Sequence, residues 1–289
     1  MSFWPLLAEH ISQHTQHSFT IQSKSAIGSG CINRAYKISD GNKSYFVKLN
    51  STQFGDMFEV EANSLTELAS SHTIKVPLPI CYGSIGDEAY LVLEHLDLNG
   101  RINSITQGQQ LAAMHQVSYP QFGWHQNNTI GSTPQSNLQT NDWVTFWQEQ
   151  RLIPQFKLAL RNGYQLDAVE QLIDCFDTLF ENYKPQASML HGDLWGGNTA
   201  ALNDGTPVIF DPAFYYGDRE TDIAMTHLFG GFEADFYAAY NEVWPLQTGY
   251  QERRTFYNLY HIINHLNLFG RGYLGQAVSM AEQVLSEIR

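Results

Sequence analysis

The spacing of apolar residues in the first third of the chain predicts a small sheet with two helices. Phe3, Leu7 and Ile11 recur at helical spacing and predict a helix to about residue 16. Short apolar runs separated by turn residues then predict five strands, and a helix over residues 56–70 is inserted among them. The predicted strands cover residues 19–21, 34–38, 44–49, 80–83 and 89–94.

Beyond residue 98 the apolar pattern becomes helical. A segment rich in Gly, Asn, Thr and Gln over residues 120–140 is predicted to be a long loop, and loops of that length are often functional. The change of pattern places a hinge-like domain boundary near residues 95–100, between an N-terminal lobe of residues 1–95 and a C-terminal lobe of residues 96–289. The predicted helices of the second lobe lie near 104–118, 142–161, 165–182, 218–229, 233–242, 250–269 and 272–288.

Composition and charge narrow the classes of partner. The chain has 289 residues, of which 43% are hydrophobic, so two cores can be buried. With 16 Lys and Arg against 29 Asp and Glu, the net charge of −13 disfavours nucleic acid and anionic membranes as partners. Three widely spaced cysteines and the lack of a signal or transmembrane segment favour a reducing compartment and predict a cytoplasmic protein.

The predicted helical lobe contains a motif with Asp193 and Asn198, and a second acidic residue, Asp211, follows it along the chain. Residues 191–198 read His-Gly-Asp-Leu-Trp-Gly-Gly-Asn, and Asp211 follows a short predicted strand at 208–210. Phosphoryl transfer from ATP needs a carboxylate that orients the attacking hydroxyl and oxygen ligands that hold Mg²⁺ on the phosphates. We therefore predict Asp193 as the catalytic base, and Asn198 and Asp211 as Mg²⁺ ligands. A polar turn before a buried strand is the alternative.

A glycine-rich segment lies between two of the predicted strands. Gly28, Ser29, Gly30 and Cys31 would let backbone N–H groups approach the phosphates of ATP. In isolation a glycine hairpin is the simpler explanation, and Asn33 stands where a third glycine would complete a phosphate-binding pattern. The segment joins the predicted ATP site because the catalytic motif follows it along the chain.

A lysine within an apolar predicted strand is the candidate cation for the phosphates. Lys48 would cost stability there unless it were exposed or paired. Glu61 is its predicted partner and belongs to the same ATP site, and Glu59 competes for that pairing. A solvated lysine beside two surface glutamates is the alternative for each residue taken alone.

Two further segments extend the predicted site. Backbone groups near Glu94 and Leu96, at the end of the last predicted strand, would receive the adenine of ATP. Asp222 would enter a helix and accept hydrogen bonds from the backbone of the catalytic loop. The neighbouring Asp218 and Glu220 have two open explanations, which are substrate contact and favourable charge at a helix N-terminus.

The spacing after the second carboxylate restricts the acceptor of the phosphoryl group. Only ten residues separate Asp211 from Asp222. A protein kinase needs an activation segment in that interval to dock a polypeptide. The predicted acceptor is therefore a small molecule or an exposed side-chain adduct.

Taken together, these motifs resemble the fructosamine kinase (ketosamine-3-kinase) family, a branch of the aminoglycoside-phosphotransferase-like kinases. The likeness runs over nearly the whole length, and the Trp-Gly-Gly-Asn form of the loop is more specific than a generic kinase loop. A mild departure is Ser29, where many relatives carry glycine. The residues that carry the resemblance lie at 28–33, 58–61, 91–96, 129–135, 142–152, 191–198, 217–224 and 264–270.

The resemblance implies an α+β, bilobal protein-kinase-like fold, with a small five-stranded antiparallel sheet lobe, one inserted helix and a larger helical lobe. It also implies ATP- and Mg²⁺-dependent phosphorylation of O3 of ketosamines, such as fructosamine or ribulosamine adducts, which leads to deglycation. By position, Trp195, Asp218, Arg219 and His265 would face the sugar.

Two alternatives to a ketosamine kinase stay open. The first is a kinase for another small alcohol of the aminoglycoside, choline or homoserine type, which the loop around Trp195 disfavours. The second is a non-catalytic nucleotide-binding protein. That class would be expected to lack Lys48, Asp193, Asn198 or Asp211, and all four residues are present.

Overall fold

The computed structural model describes residues 2–28 and 33–288, which form ten α-helices and eleven β-strands. The chain forms two compact units: the chain up to Asn103 together with Ala200–Asp211, and Ser104–Thr199 together with the chain from Pro212. The helices are α1 Phe3–Thr15, α2 Gly55–Ser70, α3 Ser104–Gln116, α4 Trp143–Trp147, α5 Ile153–Arg161, α6 Asp167–Ile173, α7 Glu220–Thr226, α8 Ala234–Val243, α9 Tyr250–Phe269 and α10 Leu274–Glu287. The strands are β1 Ser23–Ile27, β2 Arg34–Ser39, β3 Ser44–Ser51, β4 Pro79–Ile85, β5 Glu88–Glu94, β6 Asn128–Ile130, β7 Thr133–Gln135, β8 Ser188–Leu190, β9 Thr199–Ala201, β10 Pro207–Ile209 and β11 Tyr215–Gly217.

The first unit is built on a five-stranded antiparallel sheet in the order β1-β2-β3-β5-β4. The central strands β3 and β5 alternate their side chains between two faces. One face places Val47 and Val92 in a buried core with Leu7 and Ile11 of α1. The sheet and the inserted helix α2 confirm the small lobe that the sequence predicts.

The first strand differs from its prediction. The sequence places it at 19–21, where Phe19 is apolar, but β1 begins four residues later. All five residues of β1 are exposed, so the strand carries no alternating pattern and is defined by its backbone pairing with β2. Phe19 instead packs in the core against Tyr45, with ring centroids 5.0 Å apart.

A later segment of the chain returns to the first unit. The sequence predicts one boundary at 95–100, whereas the structure also assigns Ala200–Asp211 to this unit. The Ile209 N–H donates to the Lys75 carbonyl at 3.0 Å, and the Gly100 N–H donates to the Ala201 carbonyl at 3.1 Å. These non-local backbone bonds have no signature in the local apolar pattern.

The second unit is mainly helical, and α9 packs against α5, α7 and α10. The helix predicted at 142–161 is interrupted by a π-helical turn over Gln148–Leu152. Pro154 explains the interruption, because it has no backbone N–H and its ring crowds the carbonyl of Gln150. The helix predicted at 165–182 likewise divides into α6 and a 3₁₀ turn.

Two other segments of this unit differ from their predictions. The predicted loop at 120–140 contains a hairpin of β6 and β7, whose three-residue strands are too short to produce an alternating pattern. The helix predicted at 218–229 ends at Thr226, and the three residues Phe229, Gly230 and Gly231 all have positive φ angles. Within the described residues, no helix combines the length and apolar character that crossing a membrane would require.

Candidate active site

Lys48 lies in the centre of the sheet of the first unit, in β3 between β2 and β5. Its side chain is buried, and its Nζ donates to Glu61 Oε1 at 2.6 Å and to Asp211 Oδ1. Glu59 is exposed and instead accepts from the Tyr82 hydroxyl at 3.3 Å. The structure therefore selects Glu61 as the partner of the buried lysine.

The charges around Lys48 keep it protonated. Burial by itself would lower the pKa of Lys48, but the carboxylates of Asp211 and Glu61 outweigh that effect and raise the pKa above its usual value. Asp211 follows β10 with a φ of 57°, a left-handed conformation that Asp tolerates better than most residues. Half of the Asp211 side chain remains exposed, so the carboxylate keeps oxygen capacity for a ligand.

The other predicted ATP contacts of the first unit are the glycine-rich segment at 28–31 and the chain near Glu94 and Leu96. Gly28 is exposed, whereas Ser29, Gly30 and Cys31 lie outside the described residues. Glu94 ends β5, and its backbone N–H already donates to the Leu78 carbonyl at 2.8 Å. That N–H is not available to adenine, which leaves the Glu94 carbonyl and the backbone of Leu96, just beyond the strand, as candidates.

The predicted catalytic loop, residues 191–198, lies in the second unit and follows β8, which pairs with β11. The Ala213 N–H donates to the His191 carbonyl at 2.9 Å and ties the loop to the chain just after Asp211. Gly192 has a φ of 83°, and a Cβ at this position would lie 2.0 Å from the Ala213 carbonyl oxygen. The loop therefore requires glycine immediately before Asp193.

Asp193 and Asn198, the predicted base and metal ligand of the second unit, contact each other. The Asn198 side-chain amide donates to the Asp193 carbonyl at 2.8 Å and to Asp193 Oδ2 at 3.1 Å. Both bonds use the amide nitrogen, so neither of them engages Asn198 Oδ1. An amide oxygen is a ligand of the kind that Mg²⁺ binds. Asn198 belongs to the second unit and Asp211 to the first.

Asp222, on α7, holds the backbone of the catalytic loop as the sequence predicts. Its carboxylate accepts from the N–H groups of His191 at 2.7 Å and Gly192 at 2.8 Å. His115 Nε2 lies 3.2 Å from the same carboxylate, and its Nδ1 lies 2.8 Å from the Tyr240 hydroxyl. Burial would raise the pKa of Asp222, but the hydrogen bonds and charges of these partners lower it, so the carboxylate stays ionised. No sequence motif points to His115, which is a lone histidine in α3.

Asp218 and Arg219, predicted to face the sugar, are buried in the structure. Asp218 accepts from the hydroxyls of Tyr183 and Tyr257, and Arg219 donates to the backbone carbonyls of Trp244 at 2.7 Å and Pro245 at 2.6 Å. These bonds occupy the groups that a sugar would need. The structure therefore contradicts this part of the prediction and favours a role in holding the helical unit together.

Trp195 and His265, the other two predicted sugar contacts, are partly exposed and share an aromatic neighbour. Phe229 lies between them, with ring centroids 5.9 Å from Trp195 and 4.7 Å from His265. A Cβ on Gly197 would lie 2.3 Å from the Trp195 ring, which explains the glycine that follows the tryptophan. Phe229 was not predicted from the sequence, because an apolar residue at the end of a predicted helix indicates burial.

The comparisons with known proteins agree along the whole chain. The sequence model of the family described as fructosamine kinase matches residues 3–287. A probable ketoamine kinase of Synechocystis is 48% identical over 98% of this chain and 97% of its own length. The chloroplastic protein-ribulosamine 3-kinase of Arabidopsis thaliana is 42% identical over 91% of this chain and 83% of its own length.

Solved structures show the same fold. A candidate fructosamine-3-kinase of Haemophilus somnus has a TM-score of 0.89 and 30% identity, with 96% of each chain covered. A spectinomycin phosphotransferase in complex with ADP and spectinomycin has a TM-score of 0.59 at 16% identity, covering 97% of this chain and 98% of its own. The second likeness confirms the α+β kinase-like fold alone. The full-length family match shows that this chain belongs to the fructosamine kinase family, a family of phosphotransferases.

Proposed function

We propose that this protein is an ATP- and Mg²⁺-dependent kinase that phosphorylates the O3 hydroxyl of ketosamines, such as fructosamine or ribulosamine adducts. The proposal rests on the half-buried carboxylate of Asp193. Asp222 holds the loop that carries Asp193 through hydrogen bonds to the backbone of His191 and Gly192. The fructosamine kinase family model matches the chain from residue 3 to residue 287. Relatives named ketoamine kinase and ribulosamine 3-kinase support the substrate class.

The proposed reaction is a single phosphoryl transfer. The sugar O3 forms a bond to the γ-phosphorus, the bond from that phosphorus to the β,γ-bridging oxygen breaks, and ADP leaves. The Asp193 carboxylate orients the hydroxyl and accepts its proton. The ammonium of Lys48 offsets negative charge on the phosphate oxygens. Mg²⁺, for which Asn198 and Asp211 offer oxygen ligands, would neutralise further phosphate charge when bound.

The remaining assignments follow from the same proposal. Glu61 holds the Lys48 ammonium, and Gly28 begins the segment that approaches the phosphates. The backbone near Glu94 and Leu96 receives the adenine. We further propose that the phosphorylated product is unstable and sheds its sugar, so that the reaction repairs glycated amines in the cytoplasm.

ADP release with Mg-ATP and a panel of ketosamines, including fructoselysine and ribuloselysine, tests the proposal. We expect turnover of a ketosamine by the wild type and a roughly thousandfold lower rate for Asp193→Asn, because general-base contributions are of that order. Asp167→Asn is the matched control, since it makes the same chemical change at an exposed helix terminus.

Two other results would replace the proposal. Turnover of an aminoglycoside, choline or homoserine, without turnover of any ketosamine, would identify a kinase for a different small alcohol. Binding of ATP without turnover of any acceptor would identify a nucleotide-binding protein.

A further inference from the structure

A row of aromatic rings extends from the catalytic loop along the second unit. Beyond Trp195 and Phe229, the His265 ring lies 5.3 Å from Phe269 and 5.2 Å from Tyr273, measured between centroids. We call these five rings the aromatic strip. Phe229 is 40% exposed and Phe269 is 59% exposed, so a ligand can reach the outer part of the strip.

Phe229 is held in a backbone conformation that disfavours a bulky residue. Its φ of 55° is left-handed, a region that large side chains rarely adopt. Two glycines follow it, also with positive φ, and could have supplied such a turn without strain. An exposed ring adds little to a folded core, so a strained, exposed Phe229 indicates a role in contacting a ligand.

His265 adds a hydrogen-bond acceptor to the strip. Its Nδ1 lies 2.8 Å from the carbonyl oxygen of His261, and a carbonyl can only accept, so Nδ1 carries the proton. Burial lowers the pKa of His265, although that hydrogen bond opposes the shift, and the ring is therefore neutral near pH 7. In this tautomer Nε2 is an acceptor, and the neutral ring does not repel a cation.

We propose that the aromatic strip binds the cationic secondary amine of the ketosamine and the first carbons of its carrier chain. Phe229, Phe269 and Tyr273 are then specificity-determining residues, a role that the sequence motifs gave to none of them. This inference rests on the proposed function. Aromatic faces attract ammonium groups, and the amine can donate to the acceptor nitrogen of His265. The net charge of −13 also favours a cationic ligand.

A pair of substrates that differ only at the amine tests the proposal. The probes are an N-hexyl ketosamine and the neutral ether that carries oxygen in place of the amine on the same sugar. We expect the wild type to favour the amine in kcat/KM by roughly tenfold, as cation–π contacts predict. Phe229→Leu and Phe269→Leu should reduce this preference to roughly threefold, mainly through KM, and leave the kinetics of the ether nearly unchanged.

Two control variants separate this effect from general damage. Tyr119→Leu removes an exposed ring of the same unit that stacks on Tyr216, outside the strip, and should keep the full preference. Phe229→Asn removes the ring but suits the left-handed backbone, so it should reduce the preference to roughly threefold, as the leucine variant does, without losing thermal stability.

Three outcomes would overturn the inference. An equal rate with amine and ether in the wild type would show that the cation is not recognised. A preference that stays tenfold in both leucine variants would exclude the aromatic strip as its source. An equal fall of kcat/KM with the amine and the ether would indicate that the rings contact the sugar alone. If neither probe nor any other ketosamine is turned over, the proposed function itself fails.

Discussion

Two clusters of opposite charges, one in each unit, differ in their access to solvent. In the open cluster, Lys48, Glu61 and Asp211, the side chains are 9%, 15% and 50% exposed. In the closed cluster, Asp218, Arg219, Glu220 and Arg253, no residue is more than 3% exposed. Most members of both clusters were singled out from the sequence, and Arg253, which lies in none of the motifs, was not.

The difference between the clusters indicates where a ligand can bind. In the closed cluster Arg253 donates to both carboxylate oxygens of Glu220, at 2.7 and 3.0 Å, and the other two members are bonded as described above. Burying a charge is costly unless its partners are complete, so nothing is left there for a substrate. In the open cluster Asp211 keeps half of its surface in solvent, and a ligand can compete for it.

Replacing the lysine of the open cluster should abolish activity and spare the fold. For Lys48→Met we expect kcat/KM to fall roughly thousandfold, because a cation on the phosphates would be lost. The free energy of unfolding should fall by less than in the arginine variant described next, because Asp211 can return to water and burial, which raises the pKa of Glu61, favours its neutral form once the lysine is gone. Steady-state kinetics and urea denaturation on the same preparation measure both effects. If kcat/KM falls thousandfold and the free energy of unfolding also falls by several kcal/mol, the open cluster is as structural as the closed one.

Replacing the arginine of the closed cluster should have the opposite result. Arg253→Met leaves the fully buried Glu220 carboxylate unpaired, which should lower the free energy of unfolding by about 3 kcal/mol. The double variant Arg253→Met/Glu220→Leu removes both charges and should recover most of that loss. Urea denaturation of the single and double variants is the measurement. Equal stability of the wild type and Arg253→Met would mean that the closed cluster is not structural.

A buried histidine outside both clusters should make stability depend on pH. His261 has a side-chain Nδ1 with no hydrogen-bond partner among the described residues, and burial, reinforced by His265, lowers its pKa to about 3. Below pH 6.5 the unfolded chain takes up a proton that the folded imidazole refuses, so stability is full above pH 6.5 and is lost as the pH falls towards 3. Between pH 7 and pH 5 this group should remove about 2 kcal/mol from the free energy of unfolding.

Urea denaturation at the two pH values, in the wild type and in His261→Leu, isolates this effect. The variant should show a smaller, but not zero, loss of stability on acidification, because the histidines His115 and His227, whose pKa values burial also lowers, contribute to the loss in both proteins. An identical loss in the two proteins would rule out His261 as the source.

Several features of the site were available from the sequence. The order Lys48, Glu61, Asp193, Asn198 and Asp211 follows from the motifs and their spacing. The apolar pattern predicted four of the five strands of the sheet and its inserted helix, and it predicted helix α9 over its full length. The predictions of strands and helices succeed because they depend on local periodicity, whereas the roles of the site residues stay predictions.

The tertiary structure alone decided which charged and aromatic residues are accessible. Asp218 and Arg219 have the residue types of a substrate site, and only the fold shows that tyrosine hydroxyls and backbone carbonyls occupy them. Phe229 has the residue type of a core, and only the fold shows that its ring is 40% exposed. Sequence periodicity thus determined which elements form. The partners of each buried charge, and the rings that stay open to a ligand, depend on contacts between residues far apart in the chain, such as Tyr183 with Asp218.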